Sequence, residues 1–396
     1  MFQVQKYDIP FWPKRVIAGP VVLNDLGEVL VGYGKKKAAL VTDTGLVQLP
    51  IFDRVKSILE NAGINVSVFY EIGQNPTDLQ CEACAEFFKE VQPDCLVALG
   101  GGSAKDATLM ANVLYTHGSN CFEYDVVHNN GYAKIKPNKL VFTVAIATTS
   151  GTGVEVSRTS VITDTKRKMK MVQSSDYSMP DVSVIDAEVL MTMPKKLTAW
   201  TGMDALTHCI EAAVATPHFP VSDAISLHGI KLIQQYLRTA YYDGSNIEAR
   251  HFMGFACMLG GMAYGPNSLG LVHGMAHQMS TYWNIQHGLA NSLVLPHVMR
   301  YNAPANQKAF LAVSDALGVN VRALSVTQAI EAGVKEVEQL RDDLEMPRYA
   351  DELGAKKSDI PEMVKKALTD VCTPTNTKLP VTVDDCTNLY LKLFKD

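Results

Sequence analysis

CLVALGGGSAKDATLMANVLY, residues 95–115, reads as a strand, a glycine turn and a helix in immediate succession. Residues 95–99 are apolar without interruption, the pattern of a parallel strand covered on both faces. The glycine turn 100–103 follows, and 104–115 continues as a helix. The same unit recurs on both sides. Upstream, a strand over 38–41 ends at Thr42-Asp43, then come a helix over 51–62, a strand over 65–70, a Gly-Gln-Asn-Pro-Thr loop and a helix from Leu79 to Val91. Downstream, the apolar run 140–147 ends in Thr148-Thr149-Ser150-Gly151-Thr152-Gly153, and 182–185 reads as the last strand. Residues 1–36 suggest an edge hairpin or short strand, then a helix over 24–32. Alternating strand and helix predicts an open, mainly parallel α/β sheet.

After Met193-Pro194 strand signals nearly vanish. Helical patterns cover 199–216, 221–240, 246–262, 270–282, 288–300, 307–316 and 327–344. Two domains are therefore expected: an α/β nucleotide-binding domain over 1–193 and an all-helical domain over 194–396.

In an open α/β sheet, ligands bind beyond the carboxyl ends of the strands. The glycine turn there would let phosphate oxygens approach the backbone at a helix N-terminus. It does not match G-x-G-x-x-G, because position 105 is Lys, so the Rossmann-like domain has a non-standard fingerprint. Asp43 at a strand end suits ribose hydroxyls and would repel a 2′-phosphate, although Asp is also a common turn residue. The hydroxyls of 148–152 could hold a phosphate or a carboxamide.

The helical half carries a second constellation. Residues 270–296, GLVHGMAHQMSTYWNIQHGLANSLVLP, hold His273, His277 and His287, with glycines close by. Residues 200–216, WTGMDALTHCIEAAVAT, place Asp204 and His208 four apart on one face of an apolar helix. A buried carboxylate demands a partner. One carboxylate with several imidazoles suits Fe(II), Zn(II), Co(II) or Mn(II). Spacing alone does not decide which of His273 and His277 would bind it. A Lewis-acidic metal beside a nucleotide domain points to hydride transfer on an alcohol.

Composition narrows the class. The 396 residues carry a formal net charge of −5, which disfavours nucleic acid or an anionic membrane as partner. The run Lys166-Arg167-Lys168 with Lys170 reads as a solvated turn. No apolar run approaches the roughly 18 residues of a membrane span. Residues 1–14 contain Pro10 and Pro13 and no apolar leader core, so no secretory signal is expected. Eight scattered cysteines fit reduced thiols and a cytoplasmic location. Cys81 and Cys84 form a CxxC, but on a helix face and without a second pair.

Four longer motifs make the chain recognisable: GGGSAKDA (100–107), TTSGTGVEVSRTSVITD (148–164), GMDALTHCIEA (202–212) and SLGLVHGMAHQM with QHGLANSLVLPHVMRYN (268–302). Together they closely resemble the iron-containing, or group III, alcohol dehydrogenases. The likeness runs from IAGP (17–20) to DVCTPTNTKLPVTVDDCTNLY (370–390). It implies a dehydroquinate synthase-like architecture with a cleft between the two domains. It implies Asp204, His208, His273 and His287 as metal ligands, with Fe(2+) native and Zn(2+) an alternative as isolated. His277 then stands beside the metal as a catalytic proton carrier. Asp43 resembles the ribose-binding acid, which favours NAD. Asn75, Gly101, Gly102, Ser103, Thr148, Thr149 and Thr152 resemble phosphate and nicotinamide contacts. Val161, Lys170 and Leu190 resemble lesser cofactor contacts, and Asp106 opens the helix behind the glycine turn and orients it. A homo-oligomer, a dimer or multiple of dimers, is expected.

The departures from the family concern substrate. Ala147 stands where Pro is frequent, Tyr264-Gly265-Pro266 replaces a more polar run, Gln286 replaces a Pro, Thr281-Tyr282-Trp283 is bulky, and Arg300 replaces an acid. Tyr264 or Trp283 would limit chain length, and Arg158 is the candidate for meeting an anionic aldehyde. The expected reaction interconverts a small primary alcohol and its aldehyde, mainly as an aldehyde reductase. A glycerol dehydrogenase-type enzyme acting on a polyol and a non-catalytic metal- or nucleotide-binding protein are the alternatives.

Overall fold

A computed structural model describes residues 12–73, 75–137, 139–167, 169–216 and 218–395. The remainder of the 1–14 segment read for a leader lies outside them, as do Gln74 of the 73–77 loop and Lys168 of the basic run. The α/β half contains β1 (Arg15–Gly19), α1 (Leu26–Gly32), β2 (Lys37–Asp43), α2 (Pro50–Asn61), β3 (Asn65–Ile72), α3 (Asp78–Val91), β4 (Cys95–Gly100), α4 (Gly102–His117), β5 (Phe142–Ala147), β6 (Thr159–Asp164), β7 (Met169–Ser174), β8 (Val182–Asp186) and α5 (Ala187–Leu190). Six strands form one sheet in the order β1-β8-β5-β4-β2-β3, parallel at every pairing.

The apolar runs explain the layering. Ala38 and Leu40 of β2, with Cys95, Val97 and Leu99 of β4, face a core shared with Leu26, Leu30, Val55 and Leu59 of α1 and α2. Ala39, Val41 and Leu96 face the opposite core, with Phe88 of α3 and Met110 and Val113 of α4. Side chains alternate across a strand, so a strand covered on both faces must be apolar throughout. Cys81 and Cys84 lie on the buried face of α3 in this second core.

Two features differ from the expectation. The N-terminal element is the short strand β1, and it pairs with β8, more than 160 residues away, rather than with a neighbour. An antiparallel hairpin, β6–β7, stands apart from the main sheet. Its strand β6 alternates buried and half-buried residues, so it lacks the continuous apolar run that marks β2, β4 and β5. Lys166 and Arg167 of the basic run lie in its turn, where Arg167 is ion-paired with Asp164 and Asp125.

The helical half comprises α6 (Lys195–Val214), α7 (Pro220–Tyr242), α8 (Ile247–Asn267), α9 (Leu271–Tyr282), α10 (His287–Asn302), α11 (Gln307–Ala316), α12 (Val326–Asp343), α13 (Ile360–Leu368) and α14 (Val383–Leu391). No strand occurs among its described residues. The chain divides into two compact units at 192/193, with Ser150–Thr152 folding as part of the helical unit. Helix α6 is buried on all sides from Thr201 onward and packs against α7, α8 and α10. No helix among the described residues is long and apolar enough to cross a membrane.

Candidate active site

In the α/β unit the chain runs from β2 outward to β3, then returns to β4 on the other side of β2. The carboxyl ends of β2 and β4 are therefore the switch point of the sheet, where such folds bind ligands. Asp43 ends β2 and Gly100 ends β4. Gly101 is the N-cap of α4, which presents its first N–H groups at this edge. A side chain at Gly101 would lie 3.0 Å from Thr149 Oγ1, and the Thr148 N–H donates to the Gly100 carbonyl at 3.2 Å. Gly101, Gly102, Ser103, Thr148 and Thr149 thus gather at two adjacent strand ends. Asp43 Oδ1 accepts the N–H groups of Gly45 and Leu46, each at 2.8 Å. The carboxylate shapes its own turn with one oxygen.

Other nucleotide-set residues form pairs. Lys170 Nζ donates to Asn75 Oδ1 at 3.1 Å and to Thr163 Oγ1 at 3.0 Å. The Asn75 loop is held to β6 by the Thr163 N–H, which donates to the Pro76 carbonyl. Asp106 accepts the Val161 N–H at 3.1 Å and meets Lys105 Nζ at 3.3 Å. It therefore ties the hairpin to α4. Burial raises the Asp106 carboxyl, and Lys105 partly offsets this. Leu190 is fully buried in α5. Thr152 lies with the helical unit, where its carbonyl accepts the Tyr264 hydroxyl at 3.1 Å.

In the helical unit the metal-ligand candidates converge. Asp204 and His208 come from α6, His273 from α9, and His287 opens α10. Asp204, His208 and His273 form one compact buried cluster. Nε2 of His208 and Nε2 of His273 are 3.1 Å apart, and Asp204 Oδ1 is 3.8 Å from His273 Nε2. His287 stands at the rim with Nε2 3.7 Å from Asp204 Oδ1 and its side chain 30% exposed. Four donors around a tetrahedral ion at about 2.1 Å lie roughly 3.4 Å apart, so these separations fit a first-row divalent ion. Protonation fits as well. Burial lowers His208 to about 4 and His273 well below the usual range, keeping both imidazoles neutral. Burial also raises Asp204, which favours a cation as its partner.

Three residues around this set were not singled out from the sequence. Glu211 lies one further turn along α6, 4% exposed. It accepts His273 Nδ1–H at 2.5 Å and the Val272 N–H at 2.8 Å. With Nδ1 so engaged, Nε2 of His273 is the atom left for the cluster. Asn291, four residues after His287, donates from Nδ2 to Asp204 Oδ1 at 2.7 Å, while Nδ2 lies 3.4 Å from His273 Nε2. Both had a signal, a polar residue on the ligand face of an apolar helix. Asp370 had none, because it meets His277 across 93 residues of chain.

The departures find local explanations. The Gln286 side chain accepts the Leu289 N–H at 2.9 Å and caps α10, fixing the residue before His287. The Tyr264 ring lies 4.9 Å from that of His208. Trp283 instead donates to Asp359 and packs edge-on against Tyr390 and Phe394. Arg300 pairs with Glu331 and Glu338 of α12. Arg158 pairs with Asp176.

A profile for "Iron-containing alcohol dehydrogenase" matches residues 13–187, and one for "Fe-containing alcohol dehydrogenase family, C-terminal" matches 198–394. The chain is 36% identical over 375 residues to an NAD-dependent methanol dehydrogenase of Bacillus methanolicus, covering 95% of this chain and 97% of that one. It is 38% identical over 354 residues to a 1,3-propanediol dehydrogenase of Klebsiella pneumoniae, covering 89% and 90%. A solved structure of a 1,3-propanediol oxidoreductase superposes with a TM-score of 0.94 at 35% identity, covering 98% of this chain and 100% of that one. The chain belongs to the iron-containing alcohol dehydrogenase family.

Proposed function

We propose that this chain is an NAD(H)- and divalent metal-dependent oxidoreductase interconverting a small primary alcohol and its aldehyde, working mainly as an aldehyde reductase. The observation that carries the reading is the convergence of buried Asp204, His208 and His273, with His287 at their rim, at separations suited to one ion. These four are the ligand set, with Fe(II) native and Zn(II) able to replace it. The bound groups supply Lewis acidity toward the substrate oxygen and hydride exchange at the nicotinamide. The protein supplies everything else. Glu211 holds the His273 tautomer and Asn291 holds Asp204. The α4 N-terminus with Gly101, Gly102 and Ser103 takes the pyrophosphate, together with Asn75, Thr148, Thr149 and Thr152. Asp43 receives the ribose hydroxyls through the oxygen that does not shape its turn. Asp106, Val161, Lys170 and Leu190 frame the cofactor. His277 carries the substrate proton. Tyr264, held against His208 by its bond to Thr152, limits chain length, and the methanol and propanediol activities named for the relatives fit a small substrate. A homo-oligomer and a cytoplasmic location complete the proposal; the eight buried free cysteines suit a reducing compartment.

Chelator dialysis followed by an NADH-oxidation assay on C2–C4 aldehydes tests it. Turnover should vanish with the metal and return with Fe(II). Full activity after verified metal removal would end the metal mechanism.

A further inference from the structure

The segment after α13 brings a carboxylate to His277. Asp370 Oδ2 lies 2.9 Å from His277 Nδ1. Oδ1 of the same group accepts the Cys372 N–H at 3.0 Å, and Gln278 Nε2 lies 3.4 Å from Oδ2. The carboxylate is thus fixed from three directions, and its side chain is only 11% exposed. The His277 ring lies nearly parallel to that of His287, with centroids 5.3 Å apart and planes at 15°, and 6.0 Å from the His273 ring. A carboxylate facing Nδ1 keeps the proton of a neutral imidazole on that nitrogen, which leaves the Nε2 lone pair as the acceptor.

We propose that Asp370 is the positioning residue of His277, holding its ring and its Nδ1–H tautomer so that Nε2 exchanges the substrate hydroxyl proton. This rests on the reading of His277 as proton carrier. In alcohol oxidation the hydroxyl O–H bond breaks and its proton passes to Nε2. The carbinol C–H bond breaks with its electron pair, the hydride leaves for the nicotinamide, and the C=O bond forms. The imidazolium that results is paired with Asp370, and reduction returns the same proton to the product.

The test uses the metal-loaded enzyme in both reaction directions. Asp370→Asn is isosteric and keeps an oxygen for the Cys372 N–H, but its amide turned toward Nδ1 favours the wrong tautomer. The expected result is a kcat about 10- to 100-fold lower, with KM for alcohol and NAD within about twofold and bound metal unchanged. In a His277→Ala background the same change should cost nothing further. Asp370→Glu keeps the carboxylate and serves as the second variant: kcat within about threefold of wild type supports the role. A wild-type kcat for D370N, an equal loss in the H277A background, or a D370E loss as large as that of D370N overturns the proposal. H277A at wild-type kcat would instead defeat the reading of His277 itself, and the proposal with it.

Discussion

Glu211 shows how one buried side chain sets the chemistry of another. Burial pushes its carboxyl up to about 8, while the backbone N–H groups of Val272, His273 and Gly270 hold it down. Those N–H groups lie in the first turn of α9 and just before it, so the same carboxylate anchors the helix start and the His273 tautomer. Glu211→Gln keeps the shape and replaces one acceptor by a donor facing His273 Nδ1. Removing such an outer partner typically lowers metal affinity about 10- to 100-fold. Competition with a chelator of known affinity measures this, and an unchanged affinity would mean that Glu211 serves packing alone. At this scale the sequence was only partly legible. The ligand candidates stood out because imidazoles and a carboxylate recurred at helical spacing. Glu211 lay in the same motif and passed as an ordinary helix residue, because nothing in a sequence says which carboxylate meets a nitrogen 62 residues away.

At the scale of elements, the site depends on how closely α10 approaches α6. A side chain built on Gly288 would lie 2.0 Å from the Trp200 carbonyl oxygen and 3.2 Å from Asp204 Cβ. The backbone of Trp200 cannot yield, because it is inside α6. Gly288→Ala should therefore push α10 outward, carrying His287 and Asn291 away from Asp204. Overpacking of this kind costs roughly 1–3 kcal/mol, and the expected outcome is a lower thermal midpoint together with weakened metal retention. A variant that holds metal as tightly as wild type would show that the approach is not critical. The glycines beside the histidines hinted at close contact in the sequence, but the partner, a carbonyl 88 residues earlier, did not. Strands were legible where both faces are buried, as in β2, β4 and β5. The β6–β7 hairpin escaped because its strands are short and mix polar with apolar residues, without a continuous apolar run.

At the scale of the whole molecule, metal and fold are linked. A ligand that binds the folded chain alone stabilises it by about 2.7 kcal/mol at a hundredfold excess over Kd, a rise in thermal midpoint of about 3 °C for a chain of this size. Holoprotein should melt higher than chelated protein by that order, and His208→Ala should abolish the difference. Equal midpoints with and without metal in wild type would count against a site built from α6, α9 and α10. The sequence by itself determined the two kinds of architecture, because burial on two sheet faces and burial of one helix after another leave different periodicities. It also supplied the ligand types, because only a few side chains bind divalent metals. The tertiary structure alone decided which nitrogen of His273 faces the cluster, which of the bulky residues reaches the histidines, and which acid meets His277. Those outcomes depend on contacts between residues tens to hundreds of positions apart, and hydrophobic periodicity carries no record of side-chain direction across such distances.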